Sequence, residues 1–205
     1  MGRTSDASDR LQKAASKLMW EESYGALTID EICKCADVKK GSFYYFYDSK
    51  ADLAVTTMEA LWQNEWKPAL DAQFSPSVEP LQRITGYLSR MYDKQVRLKE
   101  QCGKVLGCPV FSLGTEVSTN EDVLSTKVRE IFGRKRRYYE TAIRDAVADA
   151  SIPACDPAQK ALSLSGLIEG ILSQARLMND VELVKRLPEM ALDLLQASRT
   201  TANTR

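Results

Sequence analysis

Histidine is absent from this chain. That removes imidazole acid–base chemistry, Ser-His-Asp and Cys-His nucleophiles, and every zinc site that uses a histidine ligand. Glycine and proline are scarce, ten and seven in 205 residues, which excludes collagen-like and low-complexity classes. No apolar run approaches the roughly 20 residues of a membrane span. The first residues, MGRTSDASDRLQKAASKL, are charged and lack the apolar stretch of a secretion signal, so a cytoplasmic protein without membrane contact is expected. Cysteine is sparse and odd in number (Cys33, Cys35, Cys102, Cys108, Cys155), with no CxxC pair, so neither a disulfide framework nor a metal site is expected. An excess of charge is also missing: 28 basic residues face 28 acidic ones, and the first 50 residues hold eight of each. Bulk electrostatics therefore gives no case for nucleic acid, and any such case rests on local arrangement. No paired-carboxylate or phosphate-loop motif stands out, so neither an enzyme nor a bound cofactor is expected.

What is present is helical periodicity. Leu11, Ala14, Ala15, Leu18 and Met19 mark a first helix over about residues 8–22. Thr28 followed by Glu31 reads as a capping box opening a short helix, IDEICKCA. A turn, DVKKG, leads into a third short helix through FYYFY, and Asp48 and Ser49 are cap candidates for a fourth near Lys50. That fourth helix is expected to reach Lys67 and stop at Pro68. FSPSVEP reads as a loop, Leu81, Ile84, Leu88 and Met91 as the next helix, and CGKVLGCPVFSLG as a glycine-interrupted patch with a bent or short helix. Three further apolar faces begin near Leu124, Ala161 and Val181, with Pro188 kinking the last. The tail RTTANTR is expected to fray. No segment has the two-residue period of a strand. The expected fold is all-α with about nine helices, divided into residues 1–52 and 53–205.

The stretch 27–50, LTIDEICKCADVKKGSFYYFYDSK, places five aromatic residues beside two lysines. A core requires rings but not lysines, and a solvated face requires the reverse. Two short helices around a tight turn satisfy both demands as a helix-turn-helix, whose second helix enters a DNA major groove. Asp37 tolerates the left-handed backbone that the corner requires. Phe43, with Phe46 or Tyr47, anchors the third helix inward, while Tyr44 and Tyr45 extend along the DNA side. Gly41 lets the backbone approach DNA, and Ser42 and the tyrosine hydroxyls supply neutral donors. Local charge over 39–50 is +2, from Lys39, Lys40 and Lys50 against Asp48. So modest a footprint implies two half-sites read by a dimer.

Residues 10–56 resemble the DNA-binding domain of the TetR/AcrR family of bacterial transcriptional regulators. The likeness is carried by Arg10, Ala14–Ala15, Leu18–Met19, Tyr24, TIDEI, ADVKKGSFYYFYDSK and Leu53. Ser23 and Asp37 stand where the family commonly has glycine, and Tyr47 where it commonly has Phe. The resemblance implies an N-terminal three-helix DNA-binding domain followed by a larger effector-binding and dimerisation domain. It implies phosphate contacts from Thr28, Tyr44 and Lys50, and base or phosphate contacts from Lys39, Lys40, Ser42 and Tyr45. It further implies a palindromic double-stranded DNA operator, a small-molecule effector and a homodimer acting as repressor. An effector pocket is then expected near Trp62, Trp66, Tyr87, Met91, Cys108, Phe111, Phe132 and Tyr139. A dimer face is expected near Leu164, Ile168, Ile171, Ala175, Leu187 and Leu194. The bland readings are that the rings fill a core and that GRKRR at 133–137 is a solvated helix face. Electrophile or oxidant sensing through Cys102 and Cys108 is a variant of the same function. A helical small-molecule-binding protein or enzyme without DNA binding is the rival from another class.

Overall fold

The computed structural model describes residues 3–117 and 122–197. Among them every regular element is a helix, as expected. The tail expected to fray, residues 199–205, lies outside the described residues. Two compact units emerge: Met1–Pro68 with Cys108–Phe132, and Ala69–Gly107 with Gly133–Arg205. They do not follow the expected division after residue 52. The helix that begins at Lys50 packs on the first helix and so belongs with the DNA-reading segment.

In the first unit, α1 (Arg3–Glu21) carries its apolar stripe, Leu11, Ala14, Ala15 and Met19, into the core. Against it lie α2 (Ile29–Ala36), α3 (Lys40–Phe46) and α4 (Lys50–Leu61). Both start signals read from the sequence operate. Thr28 Oγ1 accepts from the Glu31 amide at 3.2 Å while Glu31 returns to the Thr28 amide at 2.8 Å. Ser49, rather than Asp48, caps α4 by accepting from the Asp52 amide.

Pro68 does not end the helix. A π-helical turn, Trp62–Trp66, precedes it, and α5 (Lys67–Gln73) continues beyond. The wider turn, in which the Lys67 amide reaches the Trp62 carbonyl, opens the backbone just ahead of the proline ring that would otherwise clash there. α7 (Pro109–Val117) and the start of α8 (Asp122–Ala148) complete the unit with buried Val110, Leu113, Val117, Leu124, Val128 and Ile131.

The second unit is built from α5 beyond Pro68, α6 (Pro80–Cys102), the rest of α8, α9 (Pro157–Met178), α10 (Glu182–Lys185) and α11 (Leu187–Leu195). The break between the last two falls at Arg186, two residues before Pro188, where the sequence predicted a kink. Ile84, Leu88, Ala142, Ile143, Leu164, Ile168, Leu172, Leu187 and Leu195 fill this core. After α6 the chain turns at Gly103 and Gly107, both at positive φ. Gln95, buried on α6, accepts from the amides of Leu106 and Gly107 and donates to the Gly107 carbonyl. A Cβ at Gly107 would sit 3.2 Å from the Leu172 carbonyl, so both backbone angle and space call for glycine there.

Candidate nucleic-acid interface

The corner between α2 and α3 is built around Asp37, whose φ of 51° and ψ of 50° are left-handed. Its amide bonds the Lys34 carbonyl, and the next amide, of Val38, reaches back to Cys33 at 2.9 Å, closing α2. Arg10 on α1 clamps this corner by donating to the carbonyls of Ala36 (3.1 Å) and Asp37 (2.8 Å). A non-glycine residue in this conformation costs on the order of 1 kcal/mol, while glycine loses part of that gain through its greater freedom unfolded. Asp37→Gly is therefore expected to stabilise the protein by about 0.5 kcal/mol, read as a melting temperature 1–2 °C higher, roughly. A lower melting temperature would show that the exposed Arg10–Asp37 carboxylate contact at 3.5 Å outweighs the backbone term.

α3 is held by its aromatic residues, and the choice left open between Phe46 and Tyr47 resolves in favour of Tyr47. Phe43 and Tyr47 are buried, whereas Phe46 is half-buried. The Tyr47 hydroxyl meets Ser8 Oγ at 2.8 Å and accepts from Gln12 Nε2 at 3.0 Å. This tie to α1 was not legible in the sequence, since Ser8 and Gln12 lie 39 and 35 residues from Tyr47. Tyr44 and Tyr45 face solvent, 53% and 75% exposed. Each is braced edge-on by its neighbour: Tyr44 by Phe43 with centroids 5.2 Å apart, Tyr45 by Phe46 at 4.9 Å. Lys39, Lys40 and Gly41 are exposed beside them and Ser42 is half-buried. No heavy atom lies within 4 Å of a Cβ built on Gly41.

Three of the expected contact residues already have partners. Lys40 pairs with Asp30 at 2.9 Å, and that hydrogen bond holds its ammonium above the usual lysine range. Thr28 Oγ1 donates to Glu31 Oε2 at 2.7 Å. The Thr28 hydroxyl, and then its amide, push the Glu31 carboxyl below the ordinary carboxylate range. Lys50 donates to the carbonyls of Tyr24 (2.8 Å) and Leu27 (2.7 Å) and sits 4.3 Å over the Tyr24 ring. Backbone carbonyls of the protein itself thus accept from this cation at the start of α4. A residue the sequence reading missed supports the same loop: Glu116 on α7 accepts from Ser23 Oγ (2.9 Å) and from the Gly25 amide (3.0 Å).

The expected pocket residues divide between the units. Trp62, Trp66, Cys108, Phe111 and Phe132 fall in the first, where Phe111 and Phe132 meet edge-on at 6.3 Å. Tyr87, Met91 and Tyr139 fall in the second. There Tyr87 and Tyr139 join Phe74 and Tyr138, neither of them foreseen, in one ring cluster with centroids 5.6–5.9 Å apart. Burial pushes the Tyr139 phenol well above its ordinary range, and a hydrogen bond with Tyr87 adds to this.

The expected dimer face needs correction. Leu164, Ile168, Ala175 and Leu187 are sealed in the core of their own unit, so they have no surface left for a second copy. Ile171 and Leu194 keep partial exposure. On the outward side of α9, Leu162, Gly166 and Leu177 are exposed and Gly170 is half-buried, alongside exposed Ser163, Ser173 and Gln174.

Among the described residues no group of three Cys, Asp or Glu is arranged to hold a metal. No described helix is long and apolar enough to cross a membrane.

A short helix locked to its neighbours by Phe43 and Tyr47, with tyrosines, lysine and bare glycine outward, defines a helix-turn-helix DNA-binding head. Comparison with known proteins agrees. Residues 11–57 match the family described as bacterial regulatory proteins, tetR family, and residues 80–190, more than half of the chain, match the tetracyclin repressor-like C-terminal domain. The chain belongs to the TetR family of transcriptional regulators, DNA-binding proteins rather than enzymes. The transcriptional regulator AcuR of Cereibacter sphaeroides is 29% identical over 149 residues, which are 72% of this chain and 66% of that protein. The crystal structure of the regulatory protein TetR from Rhodobacter sphaeroides superposes with a TM-score of 0.81 at 26% identity, covering 90% of this chain and 96% of that one. The reduced form of Escherichia coli NemR gives 0.79 at 21% identity, covering 93% and 98%, a likeness of fold.

Proposed function

We propose that this chain is a cytoplasmic homodimeric repressor that leaves a palindromic operator when a small molecule binds its larger helical portion. The observation that carries the reading is the outward pair Tyr44 and Tyr45 beside Lys39 and the open backbone at Gly41. Phenol hydroxyls and one ammonium suit phosphate and base edges, and the missing Cβ permits close approach. Lys50 and Thr28 act from behind this surface by fixing the loop before α2 and the start of that helix. Effector control is then a difference in effector affinity between two arrangements of the dimer, only one of which spaces the recognition helices for successive major grooves. Fluorescence anisotropy with the DNA upstream of the chain's own gene tests this. Sequence-selective binding that weakens steeply with salt is expected. Equal affinity for a shuffled duplex would leave no room for a specific repressor.

The thiol-sensing variant keeps one supporting observation. Cys102 is exposed at the end of α6, whereas Cys108 is buried. The reduced form recorded for NemR belongs to that protein. If Cys102 is a sensor, N-ethylmaleimide releases the wild-type protein from its operator and leaves the Cys102→Ser protein bound. Identical release of both would dismiss the thiol.

A further inference from the structure

The loop that joins α1 to α2, residues 22–28, is held from two sides. On its inner side Tyr24 and Leu27 are buried, 4% and 2% exposed, and their carbonyls accept from Lys50. On its outer side Ser23, Gly25 and Ala26 are exposed, and the hold there comes from outside the DNA-binding head. One oxygen of Glu116, on α7, accepts both from Ser23 Oγ at 2.9 Å and from the Gly25 amide at 3.0 Å. The loop, α4 and α7 all belong to the first unit.

α7 itself gives no reason for that carboxylate. Glu116 is the last residue but one of the helix, where the carbonyl end of the helix dipole disfavours an anion. Folding supplies no reason either: both bonds are exposed, and a surface substitution of this kind changes stability little. What offsets the dipole is the pair of donors, and both lie in the loop that leads into the DNA-reading segment.

That loop decides where α2 begins, since Thr28 ends it and caps α2. α2 packs on α3 across the Asp37 corner, so a displaced loop carries the recognition helix with it. α7 in turn has no slack against α8. Its Val110, Leu113 and Val117 are buried, and a Cβ at Gly114 would come to 2.8 Å from Val128 Cγ1. Side chains do not approach that closely, so even a methyl group there displaces α7 or Val128. α7 also packs on α1, which gives a displacement a second route to the head.

We propose that Glu116 is a positioning residue for operator binding, holding the loop before α2 where α3 is presented to the groove, and that a displacement of α7 reaches the head through this carboxylate. This role rests on the regulator reading.

The test compares Glu116→Ala with Glu116→Gln in the full chain. Both remove the charge, so any electrostatic effect on DNA is common to them, but an amide oxygen still accepts from both donors. Alanine is expected to weaken binding to the DNA upstream of the chain's own gene about tenfold, and glutamine by less than about twofold. Melting temperatures stay within about 2 °C of wild type. Hydrogen exchange on the DNA-free protein reads the hold directly: the Gly25 amide exchanges faster in the alanine variant and at the wild-type rate in the glutamine one. Gly114→Ala alone weakens operator binding about threefold and adds nothing in the Glu116→Ala background. Unchanged Gly25 exchange in Glu116→Ala, a glutamine variant as weak as the alanine one, or an undiminished Gly114→Ala effect beside Glu116→Ala overturns the proposal. Failure of the wild-type protein to bind operator sinks the regulator reading and this role with it. Operator binding by the wild type that Glu116→Ala leaves unchanged sinks only this role.

Discussion

Gly41→Leu is expected to leave the fold intact, or slightly firmer, and to weaken operator binding about a hundredfold. The two effects have opposite signs because they arise on opposite sides of one backbone position. Within the protein nothing approaches a Cβ at Gly41, and leucine is a better helix former than glycine by several tenths of a kcal/mol, roughly. Toward DNA, α3 offers little beyond two tyrosines, one lysine with no ion pair among the described contacts and bare backbone, so a branched side chain at residue 41 holds the helix away from the groove floor. Lifting well-packed surfaces apart costs on the order of 1–3 kcal/mol, and a dimer incurs it at both half-sites. Circular dichroism melting and anisotropy titration on the same preparation separate the two effects. Unchanged operator affinity would mean that α3 does not enter the groove by this edge.

The second large effect is expected at Gly170→Arg. In the protomer this position opens onto empty space, as does Gly166 one turn earlier. Leu162 and Leu177, 50% and 84% exposed, flank the two on the same side of α9. An outward surface with large apolar residues at its ends and glycines between suits close approach of a second helix, and arginine there would bury a charge without a partner. The protomer is expected to fold normally and the dimer to dissociate with a constant raised more than about a hundredfold, equivalent to roughly 3 kcal/mol. Operator affinity falls with it, since one head alone carries too little charge and contact to hold DNA. Light scattering after size-exclusion chromatography gives the mass directly. A variant that remains dimeric would place the subunit contact elsewhere and leave Leu177 unexplained.

Much of the interface was readable because its signals are local. The capping box needs only Thr28 and Glu31, three residues apart. The αL corner needs only one tolerant residue, Asp37, and the rings of α3 sort by helical position into Phe43 inward and Tyr44 and Tyr45 outward. Most of what went unforeseen shares a different feature, in that it depends on a partner distant in sequence. The bonds from Lys50 to the carbonyls of Tyr24 and Leu27 could not be foreseen because those acceptors lie more than twenty residues earlier. Lys135, whose side chain is only 12% exposed and lies 3.9 Å from Glu169, passed as solvated because that partner stands on α9. Leu164 and Ala175 were given to a dimer because an apolar stripe looks the same whether it meets its own chain or another. At Pro68 the rule that proline stops a helix failed because a π turn widened the backbone ahead of it.

The sequence by itself determined the helical class, the order of elements and the DNA-reading segment, since periodicity, caps and turn chemistry act within a few residues. Only the tertiary structure decided which charges face water. It pairs Lys40, turns Lys50 onto backbone carbonyls, draws Lys135 inward and leaves Leu177 outside. A charge's free energy depends on the dielectric and the partners that surround it, and those are set by residues that come together only when the chain folds.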